Sequence, residues 1–414
     1  MKIGKFKTKT TCRICGTSSF KLVIDMGFMP HAGDFLTKKE IGKELYYPLK
    51  IWQCKKCGLV QILDVIPPRV LFRNYHYLSS VTLTKHFTEY AKEMYRKYLR
   101  DKSFVVDIGS NDGVLLYPLK KMGVKVLGVD ASKSVADVAA KKGIETMVGE
   151  FGKSIAEKIV KTSGKVDAIF ANNVLAHIDD VKTVFRGIKI LLKEDGVLVI
   201  ELHYLPDLIK KLQYDFFYNE HLTYYTLTTL SRLMKRFGIV PFDVKKIPIH
   251  SGSIRVYAKF IGNRKHGKTN RLKRFLNKEK DVNRLLAKNI LNFSRKVECH
   301  KKVFLNKINN IKSGDIKIVG YGASGRANTL LNYCKLGKKQ IDYIVDESPE
   351  RYGKFTPGTH IPIINPEFFR KDKNAKYVLL LAWNYKEEII NKEQKYINKG
   401  GKFIVPFPKV SIFP

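Results

Sequence analysis

The chain has 414 residues, and its 76 lysines and arginines against 38 aspartates and glutamates give a net charge of +38 at pH 7. Hydrophobic residues make up 44% of the chain and charged residues 28%, as in ordinary soluble globular proteins. No run approaches the ~20 consecutive apolar residues of a membrane helix. The N-terminal MKIGKFKTKTTCRICG also lacks the apolar stretch of a secretory signal. We therefore expect a cytoplasmic protein without a membrane partner, and at about 150 residues per domain the length predicts two or three domains.

The positive charge has two interpretations. It predicts either a polyanionic partner or a lysine-rich solvated surface. The sequence contains no RNP motif and no helix-turn-helix pattern, so we favour the solvated surface and expect no nucleic-acid partner. The charge still favours an anionic substrate.

Two CxxC pairs predict a metal site near the N-terminus. Cys12 and Cys15 lie in TCRICG, and Cys54 and Cys57 lie in WQCKKCG. A glycine after each pair is typical of a zinc knuckle, and four thiolates make a closed, structural zinc site. The alternative is four free buried cysteines. The two other cysteines stand alone, which is typical of packing residues.

From residue 103 onward, short β-rich runs alternate with helical segments. The strands are SFVVDIGSNDG, VKVLGVDAS, KVDAIFANNVLAH and GVLVIELHYL, separated by VLLYPLKKM, SVADVAAKK and VKTVFRGIKILLK. This alternation predicts parallel βαβ units. The nearly continuous apolar character of the strands predicts a sheet covered on both faces.

The turn after the first of these strands predicts a cofactor site. It reads DIGSNDG, with Asp107, Gly109, Asn111 and Gly113, and Asp130 ends the next strand. Glycines permit close approach of a ligand, and an acidic strand end about 20 residues later can accept hydrogen bonds from a ribose. The turn is not GxGxxG, and its acidic character suits cationic S-adenosylmethionine (SAM) better than a pyrophosphate. The alternative is a plain glycine turn.

Two further segments carry candidate site residues. Asn172, Asn173 and His177 follow the third strand, where ligands bind in parallel sheets. We expect the asparagines to hold the cofactor and His177 to face the substrate. Tyr218, Glu220 and His221 cluster in YDFFYNEHLTYY. A neutral histidine is a good general base, and a tyrosine hydroxyl can hydrogen-bond an enolate. The alternative for this cluster is an aromatic packing patch.

The C-terminal part repeats the alternating pattern. Apolar residues at helical spacing in 262–312 predict a long helix or helix pair, with a nucleic-acid-binding arm as the alternative. Beyond Asp315, IKIVGYGASG, QIDYIVDES, AKYVLLLAW and KFIVPF predict a second Rossmann-like unit. The predicted fold is α/β, with two Rossmann-like doubly wound domains and a small N-terminal zinc-binding domain. The predicted divisions are 1–66, 67–261 and 262–414.

Taken together, these motifs resemble the bacterial sugar C-methyltransferases of deoxysugar biosynthesis. The resemblance spans nearly the whole chain and keeps the family order: CRICG, CKKCG, YHYLSS, DIGSNDG, NEHLTYYTL, HSGSIRVY, GYGASGRANTLLNYC and DESPERYGKFTPGTHIPI. It implies a zinc domain, a SAM-binding Rossmann domain and a C-terminal Rossmann-like domain that helps to bind a nucleotide-diphosphate-linked keto-sugar. The implied reaction is methylation of a carbon beside the ketone.

The resemblance also implies residue roles. His221 matches the histidine expected to act as base, Tyr218 and Glu220 match its neighbours, and Tyr77 matches a tyrosine near the sugar. The GYGASG turn opens a helix whose N-terminal amides can bind a diphosphate. The residues expected to contact the substrate there and in the later motif are Tyr321, Ser324, Arg326, Asn328 and His360. We expect a monomer. Two alternatives remain: a nucleic-acid methyltransferase, suggested by the charge and the zinc module, and a non-catalytic nucleotide-sugar-binding protein.

Overall fold

The structure of the protein is a computed structural model that describes residues 1–71, 78–314 and 316–414. Tyr77, one of the predicted site residues, lies outside the described residues. In the described ranges, no helix combines the length and the apolar character that crossing a bilayer requires.

The N-terminal part is a small sheet with short flanking elements. Its elements are β1 (Lys2–Ile3), β2 (Lys7–Thr8), β3 (Phe20–Pro30), β4 (Leu45–Cys54), β5 (Val60–Ile62), β6 (Asp64–Val65) and α1 (Pro68–Leu71). Strand β4 pairs antiparallel with β3 and β5, and parallel with β1. Strand β2 pairs with β6 in a separate ladder. Because β4 ends at Cys54, the sheet carries the second CxxC pair directly.

The central part is a doubly wound sheet. Its elements are α2 (Ser80–Tyr98), β7 (Phe104–Ile108), α3 (Leu116–Lys121), β8 (Lys125–Asp130), α4 (Lys133–Lys141), β9 (Thr146–Val148), α5 (Lys153–Ser163), β10 (Val166–Asn172), α6 (Val181–Leu191), β11 (Leu192–His203), α7 (Leu205–Lys210), β12 (Thr223–Tyr224), α8 (Leu227–Lys235), β13 (Ile239–Ile247) and β14 (Ser253–Phe260). The strand order is β13-β14-β11-β10-β7-β8-β9, parallel from β11 to β9. The order reverses between β7 and β10, and ligands bind at the carboxyl ends of strands at such a switch point.

One long helix, α9 (Asn270–Lys312), leads from the central sheet to the C-terminal part. The hydroxyl of Thr269 caps it by accepting from the amide of Leu272 at 3.1 Å. A single helix therefore fulfils the prediction of a helix or helix pair over 262–312.

The C-terminal part is a second doubly wound sheet. Its elements are β15 (Lys317–Tyr321), α10 (Gly325–Cys334), β16 (Ile344–Val345), β17 (Ile363–Ile364), α11 (Pro366–Lys371), β18 (Ala375–Leu380), α12 (Lys386–Lys392), α13 (Gln394–Ile397), β19 (Lys402–Val405) and β20 (Ser411–Phe413). The order is β17-β16-β15-β18-β19-β20, parallel except for β20. The two doubly wound sheets and the cysteine-bearing N-terminal sheet confirm the predicted fold class.

The three parts share apolar cores, and a strand of the central part pairs with the N-terminal sheet. Cys12, Cys54 and Cys57 belong to the same apolar core as the central sheet, whereas Leu49 and Ile51 of β4 pack with the C-terminal sheet. Strand β12, which follows His221 in the chain, pairs with β5 of the N-terminal sheet. The N-terminal sheet therefore supports the segment that carries the predicted base.

Candidate active site and zinc centre

The four predicted metal ligands converge. The Sγ atoms of Cys12, Cys15, Cys54 and Cys57 all lie within 4.8 Å of one another. The pairs Cys12–Cys57 and Cys15–Cys54 are each 3.5 Å apart. A tetrahedral zinc site with Zn–S bonds of about 2.3 Å has edges of about 3.8 Å. The donor set and its spacing therefore fit a structural zinc ion.

The glycine after each CxxC pair closes a tight turn. Gly16 and Gly58 both adopt left-handed backbone, with φ of 75° and 81°. Each donates its amide at 3.0 Å to the carbonyl of the first cysteine of its pair. The turns fold back on the thiols, and the amide of Cys57 reaches Sγ of Cys54 at 3.4 Å.

The predicted cofactor loop lies at the switch point of the central sheet. Strand β7 ends at Ile108, and Gly109, Asn111 and Gly113 follow with φ of 70°, 50° and 73°. The carboxylate of Asp130, at the end of β8, accepts the amides of Asn111 and Ser132 at 2.9 Å each. A carboxylate has about four acceptor positions, so Asp130 fixes the loop and retains capacity for a ligand hydroxyl.

Buried acceptor groups surround this loop. Asp107 is 3% exposed, and burial followed by the negative charge of Asp130 raises its pKa to about 8. The amide nitrogen of Asn172 lies 3.4 Å from Asp107 Oδ1. The side-chain oxygens of Asn172 and Asn173 are buried and have no hydrogen-bond partner among the described residues. Unpaired buried acceptors are costly, so this arrangement fits a ligand that brings donors and positive charge.

Gly109 is where the loop tolerates a side chain least. A Cβ atom there would lie 2.7 Å from Cγ2 of Val174, on a backbone with positive φ. We expect Gly109→Ala to strain the loop by about 1–3 kcal/mol and to weaken SAM binding. Titration calorimetry with SAM and thermal unfolding measure the two effects.

Gly164→Ala is the matched control, because Gly164 has φ of +83° and a Cβ atom added there would have no neighbour within 4 Å. That variant should lose stability and keep its SAM affinity. Equal SAM affinities for the Gly109 and Gly164 variants would contradict the assignment of this loop to the cofactor site.

The predicted base lies in a buried aromatic and imidazole cluster. The Tyr218 hydroxyl is 2.8 Å from Nε2 of His221, which is 3% exposed. The rings of His177 and Phe216 lie with their centroids 4.8 and 4.7 Å from that of His221. Burial, and then the proximity of His177, holds the pKa of His221 well below its ordinary value. Burial likewise lowers the pKa of His177, so both rings are neutral near pH 7.

Backbone contacts place this cluster beside the cofactor loop. The turn containing Leu175–His177 follows β10, whose last residue, Asn172, reaches Asp107. The amide of Leu222 donates to the carbonyl of Ala176 at 2.7 Å. His221 therefore lies next to the carboxyl end of β10, one strand from Gly109.

Glu220 points toward the N-terminal part instead of toward His221. Nε2 of His31 donates to its Oε1 at 2.9 Å. Burial opposes the charge on Glu220, but the hydrogen bond and charge of His31 hold its pKa below the ordinary value. Although burial acts in the opposite direction, the same pairing raises the pKa of His31. The two form an ion pair across 189 residues of sequence.

The structure brings one of the predicted substrate residues to the histidine cluster. Nε of Arg326 donates to Oδ2 of buried Asp215 at 2.9 Å. Its guanidinium carbon lies 5.0 Å from the Phe216 ring centroid and 4.7 Å from that of Trp383. Phe216 also contacts His221, so Arg326, in helix α10, connects the C-terminal part to the site.

The other predicted substrate residues have intramolecular partners. The Tyr321 hydroxyl donates to Glu347 and Glu393 at 2.7 and 3.1 Å. Asn328 donates to the carbonyl of Ala32 at 2.6 Å, and His360 contacts Glu44. The Ser324 hydroxyl caps α10, 3.3 Å from the amide of Ala327.

The glycine turn of the C-terminal sheet is likewise satisfied internally. The Ala323 amide donates to Asp346 Oδ2 at 2.7 Å, and a Cβ on Gly322 would lie 2.4 Å from that of Ala382. The amide of Ala323 is therefore already hydrogen-bonded to a carboxylate of the chain itself. The substrate roles of Tyr321, Ser324, Asn328 and His360 stay predictions.

Sequence reasoning missed other members of the cluster. His203 ends β11, and its ring centroid lies 5.6 Å from that of His221; His250 lies 5.0 Å from His203. The strand-end rule that selected Asn172 applies equally to His203, and His250 belongs to HSGSIRVY. His31 and Asp215 carried no local signal, because their partners are distant in sequence.

Comparison with known proteins follows the same three-part order. Residues 12–72 match the family described as "Putative zinc binding domain", residues 82–241 match "Methyltransferase domain" and residues 248–408 match "C-methyltransferase C-terminal domain". C-methyltransferase NovU of Streptomyces niveus is 32% identical over 402 residues, which cover 96% of this chain and 95% of that protein.

Other similarities are partial. A ubiquinone biosynthesis O-methyltransferase of Bartonella quintana is 29% identical over 97 residues, 23% of this chain and 39% of that protein. The magnesium protoporphyrin IX methyltransferase of Synechocystis PCC 6803, solved with bound SAH, is 16% identical, with a TM-score of 0.35 over 43% of this chain and 83% of that one. The similarity to NovU extends through all three parts. On that near full-length match, the chain belongs to the C-methyltransferase family.

Proposed function

We propose that the protein is a SAM-dependent C-methyltransferase that methylates a carbon adjacent to the ketone of a nucleotide-diphosphate-linked keto-deoxysugar, through an enolate generated by His221. The observation that carries the proposal is a buried, neutral imidazole, hydrogen-bonded to Tyr218, beside an acceptor-lined cofactor loop. Membership of the C-methyltransferase family supplies the reaction class.

The cofactor loop supports SAM as the methyl donor. Asp130 is assigned to the ribose hydroxyls, and Gly109, Asn111 and Gly113 to the close approach of the loop. Asn172 and Asn173 are assigned to the cationic amino-acid end, since their side-chain oxygens are buried and have no partner among the described residues. Asp107 is assigned to the same end, because a positive ligand would offset the burial and the charge of Asp130 that raise its pKa. When bound, SAM supplies an electrophilic methyl group to the carbon that has lost its proton.

His221 is assigned as the general base. A hydrogen beside a ketone is only weakly acidic, so its removal needs a positioned base that is unprotonated at the working pH. Burial keeps His221 neutral, and Tyr218 fixes the orientation of its ring. Tyr218 also offers a hydroxyl for the enolate oxygen, a role that the family resemblance extends to Tyr77. Holding the reacting atoms in line is worth roughly 7–11 kcal/mol.

The other members of the cluster are assigned to shaping the site. His177 is neutral and packs edge-on against His221, so it is suited to contact the sugar. Glu220 is tied to His31, and that ion pair positions the loop that carries the base. Neither residue is needed to remove the proton.

The C-terminal part is assigned to the nucleotide end of the substrate, within the proposed division 1–66, 67–261 and 262–414. Arg326 supports this, because it is the predicted substrate residue that reaches the histidine cluster. The zinc centre has a structural role, because its four thiolates leave no position for a reactant.

The proposal is tested by incubating the protein with SAM and a panel of 4-keto-6-deoxy nucleotide-sugars. The expected product carries one additional methyl group on a ring carbon, located by mass spectrometry and by NMR. Methylation of an oxygen, or of none of the keto-sugars, would contradict the proposal. Methyl transfer to RNA or DNA instead would favour the alternative raised by the charge.

The low pKa of His221 predicts the acid side of the pH profile. Lowering the pKa of a base keeps it unprotonated, and therefore active, at more acidic pH. We expect kcat/KM to stay level as the pH falls through about 6.5, the ordinary value for histidine, and to decline only below it. A decline centred at or above that value, measured over a pH series in which the protein stays folded, would contradict the assignment.

A further inference from the structure

A small cavity separates two histidines of the cluster. It has a volume of about 10 Å³ and is lined by Ala176, Leu202, His203, Phe216, His221, Thr223, Tyr224 and Tyr225. That volume is close to the minimum for one water molecule. Nε2 of His203 and Nδ1 of His221 are both buried and have no hydrogen-bond partner among the described residues. A water bridging two such nitrogens satisfies both.

A second contact extends from His203 toward the surface. The ring of His250 lies with its centroid 5.0 Å from that of His203. His250 occupies the turn between β13 and β14 and is half-buried. Its backbone is left-handed, with φ of 51° and ψ of 29°, a conformation that costs a residue other than glycine free energy. The strained turn holds the imidazole of His250 against His203. A turn between two β-strands does not by itself require a histidine at this position.

The proposed reaction releases a proton that has to leave the buried site. The substrate C–H bond breaks, a C–CH₃ bond forms and the C–S bond of the cationic donor breaks, leaving a neutral sulfide. One proton is therefore released per turnover, and His221 receives it. Because His221 is 3% exposed, it has to pass that proton on before it can act again.

We propose that His203 and His250 relay this proton from His221 to solvent, with one water in the cavity between His221 and His203. The substrate proton enters the imidazole of His221 at Nε2, where the Tyr218 hydroxyl is hydrogen-bonded at rest, and the proton on Nδ1 passes to the water. The water passes a proton to Nε2 of His203, His203 passes one to His250, and His250 releases one to bulk solvent. This proposal rests on the proposed function, because it requires His221 to be the group that accepts the proton.

The charges around the relay favour passage of the proton over its retention. The charge of Arg326 lowers the pKa of all three imidazoles, and the proximity of His177 lowers the pKa of His203 and His221. Burial, and then the proximity of His250, places the pKa of His203 well below the ordinary value. Burial, and then the charge of Arg326, lowers the pKa of His250 to about 4. Glu201 is the acidic group that faces His250, and it is already paired with His86 and Arg255. A proton on any of these rings is therefore short-lived.

The test separates the first turnover from later ones. His203→Gln retains a polar side chain that cannot carry a proton, and His250→Asn suits the left-handed backbone. The first methyl transfer uses His221 already unprotonated, so rapid-mixing experiments should show a normal burst of one product per active site. Later turnovers should be slower by about 10²-fold, the lower end of general acid–base effects. Added imidazole should restore much of the rate in His250→Asn.

His266→Gln is the control. Its ring packs on Phe242 and Tyr98, outside the cluster, and it should behave as wild type. A burst reduced in proportion to the steady-state rate in both relay variants would mean a structural role and would overturn the relay. Unchanged steady-state rates would overturn it as well.

A second measurement distinguishes failure of the relay from failure of the proposed function. With S-adenosylhomocysteine in place of SAM, wild type in D₂O should exchange the hydrogen beside the ketone without methylation. In the relay variants the proton should return to carbon, and exchange should slow by a similar factor. Exchange as fast as wild type in both variants overturns the relay alone. The absence of exchange and methylation in wild type with every keto-sugar overturns the proposed function and the relay together.

Discussion

Replacing His221 by asparagine is expected to lower the turnover number by about 10²–10⁴-fold, the usual contribution of a positioned general base. Asparagine retains a polar side chain near the Tyr218 hydroxyl, which is 2.8 Å from the imidazole in the wild type, but it cannot accept the proton. SAM affinity should stay near the wild-type value, because the cofactor loop is built from β7, β8 and β10 and not from the segment 214–226. Steady-state kinetics and SAM titration measure the two quantities.

Two controls make this result specific. Tyr218→Phe removes the hydroxyl that orients the ring and leaves the imidazole, so it should lose less activity than His221→Asn. Hydrogen–deuterium exchange of the substrate with S-adenosylhomocysteine bound should be abolished in His221→Asn. Near-normal turnover or retained exchange in that variant would end the assignment of His221 as base.

Removal of the zinc ligands is expected to have the largest effect on stability. Structural zinc contributes an apparent free energy of about 10–16 kcal/mol in small zinc-binding peptides at neutral pH. Cys54→Ser breaks a set of four thiols that lie within 4.8 Å of one another. It should reduce the bound metal well below one zinc per chain and lower the melting temperature strongly. Metal analysis and thermal unfolding, with and without a chelator, measure this.

Activity should fall when zinc is lost, although the ion takes no part in the proposed reaction. Strand β4 ends at Cys54, β5 follows the knuckle, and β5 pairs with β12, two residues after His221. Loss of the knuckle therefore releases the strand that supports the base. Cys299→Ser is the matched control, because Cys299 is exposed and lies outside the cluster. A full zinc content in Cys54→Ser, or equal instability of the two variants, would contradict a four-thiolate site.

Contacts between the central and C-terminal parts predict that the site is sensitive to positions far from it. Asp215 holds Arg326 and also accepts the indole N–H of Trp383 at 2.9 Å. Both partners belong to the C-terminal part, whereas Asp215 lies in the aromatic segment of the central part that also carries His221. Burial raises the pKa of Asp215, and Arg326 opposes this. The carboxylate is therefore secured only when the two parts are docked.

Local sequence determined the features whose chemistry is encoded within a few residues. The CxxCG pairs specify both ligands and turns, since the glycines must adopt left-handed backbone beside the thiols. The DIGSNDG loop specifies a strand end, a glycine turn and an acceptor-rich surface. The alternation of apolar runs and helical segments specifies two doubly wound sheets, because strands covered on both faces read as continuous apolar stretches.

The tertiary structure decided which of these groups meet. The pairing of Glu220 with His31, of Arg326 with Asp215, and of β12 with β5 joins residues separated by 189, 111 and 162 positions or more. The line of imidazoles from His221 through His203 to His250 depends on the register of β11 and β14. No local pattern encodes such contacts, because burial and pairing are properties of the folded chain as a whole. The sequence therefore determined the chemical groups and their supporting elements, and the docking of the three parts decided their partners and their protonation.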